Sequence, residues 1–363
     1  MIGAVHIGLL AACVVLFVPM AMAGWHLSRN KMLFFSCALF ITLAVGVHLM
    51  PYFPSISDFL SPSQVISLSS PSNRDSCVSF LHSVVYSGGG VIKECGIGCE
   101  KRLGWDWDWV GSGRVAGCEF QKLMRSDASD LLNGSWVVVA GDSQARLMAV
   151  SLLELVMGNE AMERVRGDLF KRHSDYSITV DEIGMKLDFF WAPYVGNLTE
   201  LVLQLRRSRN IPDVMVVGAG LWDMLHVNNA SEYGSALRVL RDNSLTLLPV
   251  SSNLDVGNSK PAARFLHLFW VGMPMLITTM LNTDEKREKM TTAIYDSYED
   301  ELTTSKIWRE SGGPFFKLDV RLLSELCGPR CTSDGMHYDG VVYDATVQIM
   351  LNALLIESNQ KLE

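Results

Sequence analysis

The sequence predicts an α/β protein: a three-layer α/β/α domain with a mostly parallel sheet, preceded by two N-terminal transmembrane helices. Three observations carry this expectation. The chain has 363 residues, of which 48% are hydrophobic and only 19% charged; a typical soluble domain carries about 25% charged residues. It opens with two long apolar runs that hold no Asp, Glu, Lys or Arg. Beyond residue 76, short apolar runs alternate with segments of helical spacing, the pattern of strands joined by helices.

The two apolar runs cover residues 2–23 and 32–53. About 20 apolar residues cross a bilayer as a helix, so each run is long enough. Between them lie Arg29 and Lys31, and no further Lys or Arg occurs before Arg74. The excess of positive charge on cytosolic loops then puts the short connection in the cytosol. The N-terminus and the bulk of the chain fall on the lumenal or outer side. A signal peptide cleaved after Ala21-Met22-Ala23 is the competing reading. It lacks the basic residue expected ahead of the apolar stretch, and it would leave the second run to hold the domain in the cytosol. The expected organisation is a helical hairpin anchor over 1–53, a Ser/Pro-rich linker over 54–75 and one catalytic domain over 76–363.

Cysteines and sequons agree with that side of the membrane. Cys13 and Cys37 sit in the apolar runs. The other six, Cys77, Cys95, Cys99, Cys118, Cys327 and Cys331, are disulfide candidates in an oxidising compartment. Cys95/Cys99 with Cys327/Cys331 also reads as a loose zinc set, but no His stands at ligand spacing, so no metal is expected. Asn133, Asn197 and Asn229 head Asn-x-Ser/Thr sequons, candidate glycosylation sites. A net charge of −8 argues against a nucleic-acid partner, which would need a basic face.

Within the domain, 135–140, 187–191, 214–218, 264–272 and 315–320 read as strands. Residues 147–156 and 284–302 read as helices, and an amphipathic helix closes the chain over 341–356. A mostly parallel sheet places its chemistry in the loops at the carboxyl ends of its strands. Gly141-Asp142-Ser143 stands in such a loop, directly after the first of these strands and at the start of a helix. The helix N-terminus favours an oxyanion there, and the Ser143 N–H can donate to it. The plain alternative is a helix N-cap pair.

A second motif completes the first. Serine needs a base to become a nucleophile, and histidine needs a carboxylate to fix its tautomer. Asp334 and His337 lie three residues apart on a loop before the last helix and supply both. Asp339 and Asp344 are rival carboxylates that fit better as caps or flanks of that helix.

Gly-Asp-Ser143 after a strand, with Asp334-x-x-His337 before the last helix, resembles the SGNH or GDSL hydrolase superfamily. More narrowly it resembles the PC-esterase branch, which includes the lumenal domain of sialate O-acetyltransferases and the plant trichome-birefringence-like polysaccharide O-acetyltransferases. Gly-Asp-Ser143-Gln-Ala-Arg146 is similar to the Gly-Asp-Ser-x-x-Arg block of that branch. Phe189-Phe-Trp191-Ala-Pro193 is similar to its Trp-x-Pro strand end, and Val217-Gly-Ala-Gly220-Leu-Trp222 to its Gly-rich block with a Trp. Residues 284–290 are similar to its charged segment before a Tyr-bearing helix, here with Tyr295. The resemblance spans roughly three fifths of the chain, from Trp136 onward.

The resemblance implies an SGNH-type domain with Ser143, Asp334 and His337 as catalytic residues. Ser143, Arg146, Gly220, Trp191 and Trp222 would serve the oxyanion and substrate. Many SGNH enzymes carry an oxyanion-donating Asn in the third block; this chain has Asp223 after Trp222, and an ionised Asp does not donate. The neutral alternative for Arg146 is a salt bridge to a neighbouring acid. Trp105-Asp-Trp-Asp-Trp109 suits either sugar stacking or a strand with alternate residues in the core. His82, His173, His226 and His267 lack motif partners, and structural or surface roles are expected for them.

The expected function is a carbohydrate O-acetyltransferase working through an acetyl-serine in the Golgi membrane, with its catalytic domain in the lumen. The endoplasmic reticulum and plasma membrane are alternative locations. A carbohydrate O-acetylesterase is the second reading, and a non-catalytic, membrane-tethered glycan-binding or scaffold protein the third. No cofactor is called for. The acetyl donor is open, because the multi-span donor-handling domain of the sialate enzymes is missing, and a separate acetyl-donor transporter is then a candidate partner beside the polysaccharide.

Overall fold

A computed structural model of the chain describes residues 77–91, 103–248 and 266–358. The expected transmembrane runs, the linker, and Cys95 and Cys99 lie outside the described residues. Among the described residues, the domain holds eight strands in two sheets. Strands β1 (Val84–Val91) and β2 (Leu103–Trp109) form an antiparallel hairpin. The main sheet contains β3 (Trp136–Gly141), β4 (Tyr176–Val180), β5 (Met185–Trp191), β6 (Val214–Gly218), β7 (His267–Val271) and β8 (Phe316–Leu318), in the order β4-β5-β3-β6-β7-β8. All its pairings are parallel except the edge pair β4–β5. The predicted mixed α/β architecture with a mostly parallel sheet is therefore present.

The central strands bury both faces, which is why they read as unbroken apolar runs. Successive side chains point to opposite faces of a strand. Val137, Val139, Val214, Val216, Phe269 and Val271 enter one core, while Val138, Ala140, Met215, Val217, Leu268 and Trp270 enter the other. In chain order the helices are α1 (Gly113–Ala116), α2 (Arg125–Leu131), α3 (Ser143–Met157), α4 (Asn159–Leu169), α5 (Val195–Ser208), α6 (Ala230–Leu245), α7 (Asp284–Lys289), α8 (Thr292–Thr304), α9 (Val320–Cys327) and α10 (Gly340–Ser358). α3, α9 and α10 fill the first core; α5, α6 and α8 fill the second. The result is three layers.

Four sequence expectations change in detail. Residues 284–302 are two helices, because Thr291 caps α8 by accepting from the Ile294 N–H and so ends α7 before it. The strand expected over 264–272 is confined to His267–Val271 among the described residues. Strand β4 adds an edge whose side chains alternate in burial. The closing helix α10 is long and apolar enough to cross a membrane but is mostly buried in the domain. Its polar residues are satisfied internally rather than facing solvent: Gln348 and Asn352 exchange hydrogen bonds with the backbone of Leu123 and Gln121.

The Trp-Asp-Trp-Asp-Trp run is β2, and its alternation follows the strand period. Trp107 and Trp109 are buried and packed edge to face at 4.9 Å, whereas Asp106 and Asp108 face outward. Trp107 Nε1 donates to Asp344 of α10 at 2.7 Å, and Trp109 Nε1 to the Leu81 carbonyl at 3.0 Å. These two tryptophans hold the hairpin to the domain. Disulfides join Cys77 to Cys118 and Cys327 to Cys331, so the last two thiols are committed to each other rather than to a metal.

Replacing Trp107 with Phe would remove the donor to Asp344 and leave a largely buried carboxylate without it. The expected cost is about 1–3 kcal/mol, read as a lower urea midpoint with an unchanged slope. An unshifted midpoint would contradict this account of how the hairpin is attached.

Candidate active site

The chain leaves β3 toward β5 and leaves β6 toward β7, so the connections part at the carboxyl ends of β3 and β6. Such a switch point opens a crevice in sheets of this kind. Gly141 ends β3 beside Gly218, and a Cβ on Gly141 would stand 2.3 Å from the Gly218 carbonyl oxygen. Only glycine fits there. A single residue, Asp142, then turns the chain into α3. Its buried carboxylate accepts from the Gln144 N–H at 2.9 Å as the N-cap. Burial pushes that carboxyl up to about 6 despite the backbone donors and the His337 charge. Ser143 is thus the first residue of the helix, half-exposed, with no intrahelical acceptor for its N–H.

The loop from Cys331 to Asp339 brings the histidine to this serine. Ser143 Oγ lies 2.8 Å from His337 Nε2, and His337 Nδ1 lies 2.6 Å from Asp334 Oδ2. The other Asp334 oxygen accepts from the N–H groups of Met336 and His337 at 2.9 and 2.7 Å. Burial alone would raise the Asp334 carboxyl. The hydrogen bonds from the His337 ring and from both backbone N–H groups outweigh it and hold the group below the usual carboxylate range. A carboxylate is therefore fixed on Nδ1, which leaves Nε2 to accept the serine proton.

Several residues that sequence spacing did not single out hold this loop. Thr332 Oγ1 donates to the His337 carbonyl at 2.7 Å and accepts from the Gly335 N–H at 3.0 Å. Gly335 has φ +75°, and a Cβ there would stand 2.5 Å from the Ile277 carbonyl. Gln144, next to the serine, donates to the Met336 carbonyl at 3.2 Å and accepts from the Tyr343 hydroxyl. Gln144 lies inside the Gly-Asp-Ser-x-x-Arg block, so proximity to Ser143 was its only sequence signal. The Cys327–Cys331 disulfide closes the turn that feeds the loop. Asp339 stands at the N-terminal end of α10, and Asp344 is taken by Trp107.

Arg146 lies one turn beyond Ser143 and is 7% exposed. Its guanidinium sits over the rings of Phe189 and Trp191 at 5.0 and 4.9 Å, and one terminal nitrogen approaches the Ser174 carbonyl at 3.4 Å. Among the described residues no carboxylate pairs with it, and its Nε has no hydrogen-bond partner. Burial pushes its pKa down. Trp191 pairs in register with Gly141, and Trp222 follows Gly220 at the end of β6. Gly220 is packed closely: a Cβ would meet Met273 Sδ at 2.5 Å. Asp223 opens a π-helical turn over Asp223–Val227, and its Oδ2 is buried without a partner. Burial pushes it up to about 7, against the lowering effect of the Val195 N–H and reinforced by the nearby Asp142. Below that value the carboxyl is uncharged.

Two of the unassigned histidines are engaged elsewhere: His82 accepts from the Asp319 N–H, and His267 pairs with Glu357. His173 and His226 instead pack with Trp191 and Trp222. Of the sequon asparagines, Asn133 lies on an exposed turn, Asn197 is half-buried in the first turn of α5, and Asn229 is exposed and caps α6. No group of three or more potential metal ligands occurs among the described residues.

No protein-family model matches the chain. Over 370 residues, and the whole of both chains, it is 55% identical to Protein ALTERED XYLOGLUCAN 9 of Arabidopsis thaliana. The chain belongs to the family of that protein. Two solved structures share a more remote likeness. A mutant acetylxylan esterase from Geobacillus stearothermophilus is 12% identical, with 64% of this chain and 96% of that chain covered and a TM-score of 0.34. LAE5, an alpha/beta hydrolase enzyme from the metagenome of Lake Arreo, Spain, is 16% identical, with 61% and 95% covered and a TM-score of 0.34.

The pH dependence of stability should expose Asp223. A carboxyl whose pKa is raised on folding stabilises the fold at low pH, and that contribution is lost as pH rises from about 4 through the folded value. Asp223→Asn removes it. The variant's urea midpoint should therefore gain on the native chain between about pH 5 and about pH 8. A difference that is flat across that range would contradict the raised carboxyl.

Proposed function

We propose that this chain is a serine-dependent carbohydrate O-acetyltransferase that works through an acetyl-serine intermediate on a polysaccharide or glycan in the Golgi lumen. The observation that carries the reading is the unbroken hydrogen-bonded line from Ser143 Oγ to His337 to Asp334, at 2.8 and 2.6 Å. The relative whose name refers to altered xyloglucan supports a carbohydrate acceptor.

In the first half-reaction His337 Nε2 takes the proton of Ser143 Oγ as the oxygen attacks the carbonyl carbon of an acetyl ester or thioester. Asp334 stays ionised and stabilises the imidazolium. The tetrahedral oxyanion is met by the Ser143 N–H at the helix N-terminus, and Arg146, one turn further along α3, adds positive charge behind it. The donor's oxygen or sulfur leaves with the proton from His337, and acetyl-serine remains. In the second half-reaction a sugar hydroxyl loses its proton to His337 and attacks the acetyl carbon. The new ester departs and Ser143 recovers its proton. The residues require no cofactor. Water in place of the sugar turns the same cycle into an esterase, so exclusion of water from the acyl-enzyme separates the two outcomes.

The expected hairpin anchor over 1–53 and the sequons at Asn133, Asn197 and Asn229 support a lumenal domain. The acetyl donor would then reach it through a separate transporter.

Two measurements test this function. A fluorophosphonate probe should label the native chain and fail to label Ser143→Ala, while His337→Ala should slow labelling by about a thousandfold or more. Native protein that resists the probe would contradict the nucleophile. Incubated with an isotopically labelled acetyl ester and a panel of plant polysaccharides, the full chain should deposit label on glycan. Free labelled acetate alone would replace the transferase with an esterase.

A further inference from the structure

Five aromatic rings gather around the carboxyl ends of β5 and β6, where Trp191 also packs against the first core. Trp191, Trp222 and Tyr194 are half-buried, and His173 and His226 are exposed. His173 stacks on Trp191 with centroids 4.7 Å apart and planes 21° apart. Trp222 stands nearly perpendicular to its neighbours, at 85° to Trp191, 83° to His173 and 86° to Tyr194. His226 closes the group, 4.9 Å from Trp222 and with Nδ1 3.1 Å from the Tyr194 hydroxyl. These rings interlock into an angled wall.

The wall belongs to the same rim as the serine. Trp191 is the register partner of Gly141, and Gly141 is also the partner of Gly218, four residues before Trp222. Strands lie about 4.8 Å apart, so the ends of β5, β3 and β6 span about 10 Å. Arg146 bridges wall and nucleophile: it stands one helical turn from Ser143, lies over Trp191, and keeps a buried Nε without a partner.

Resting on the acetyl-transfer reading above, we infer that this wall is the acceptor subsite and that it binds an uncharged chain of pyranose rings by stacking. A cluster of tryptophans left partly open to water is a ligand surface more often than a packing accident. The negative π-face of an aromatic ring attracts the weakly positive C–H face of a pyranose. The five rings contribute no carboxylate, and the ring hydrogen-bonding groups of Tyr194, Trp222 and the two histidines match hydroxyls. Charges of both signs stand around the rings, Arg172 acting on His173, Asp175 accepting from the Trp191 N–H and Glu285 acting on His226, while Arg146 is covered by Phe189 and Trp191; the wall presents no single sign of charge that would select an acidic sugar.

The full chain carrying Ser143→Ala tests this without turnover. It is titrated with a hexasaccharide of β-1,4-linked glucose and, separately, with hexagalacturonate, and followed by tryptophan fluorescence and calorimetry. Saturable binding of the neutral probe is expected. Adding Trp222→Ala should weaken it about tenfold, and Trp222→Phe should restore it to within about threefold. Should Trp222→Ala fail to fold, His226→Ala at the exposed edge is expected to weaken binding about threefold. No saturable binding of the neutral probe, no effect of these substitutions, or tighter binding of hexagalacturonate overturns the inference. Probe labelling of Ser143 in the native chain, with glycan binding absent, would overturn the wall while leaving the nucleophile in place.

Discussion

One hydrogen bond, between the hydroxyl of Ser143 and the ring of His337, joins residues 194 positions apart, and the proposed chemistry of the chain depends on it. Neither segment could hold this geometry alone. The serine is placed by a turn one residue long between β3 and α3, which exists because Gly141 lets the backbone of β3 end hard against that of β6. The histidine is placed by a loop pinned at Thr332, Gly335 and Met336. Gln144 then ties the two segments together, because it follows the serine directly and donates to the histidine loop.

The buried charges around this bond divide by role. Asp334 is surrounded by donors that hold its carboxyl below the usual carboxylate range. Asp142 and Asp223 lie deeper, and burial raises both; their cost is borne by the packing of the three-layer core. Arg146 is the unusual one. A buried guanidinium without a carboxylate partner among the described residues is costly unless something else meets it, and here two aromatic faces cover it while its Nε stays without a partner.

The sequence disclosed the parts of the fold whose signals are local. β3, β5 and β6 were legible because strands buried on both faces are continuous apolar runs with β-branched residues. Asp334 and His337 were legible because two residues three positions apart on one loop can meet without help from the fold. β4 was missed because an edge strand buries only alternate residues and its Tyr-Ser-Ile-Thr-Val reads as a loop. The break at Thr291 was hidden in a charged stretch of even helical propensity. α10 looked amphipathic because its Gln348 and Asn352 are polar, yet those side chains pair with a segment more than two hundred residues earlier. Thr332, Gln144 and the rings of His173 and His226 act through contacts that only the folded chain creates. Trp107 and Trp109 were ambiguous between sugar and core, and their burial assigns them to the core.

The most direct test of the account is to look for the covalent intermediate itself. Full-length protein would be mixed with an acetyl ester, quenched in acid within the first turnover, digested, and analysed by mass spectrometry. The account predicts the mass of one acetyl group on the peptide containing Ser143, absent from the His337→Ala chain. Transfer of acetyl to glycan with that peptide unmodified at every quench time, or acetyl found on another residue, would contradict it.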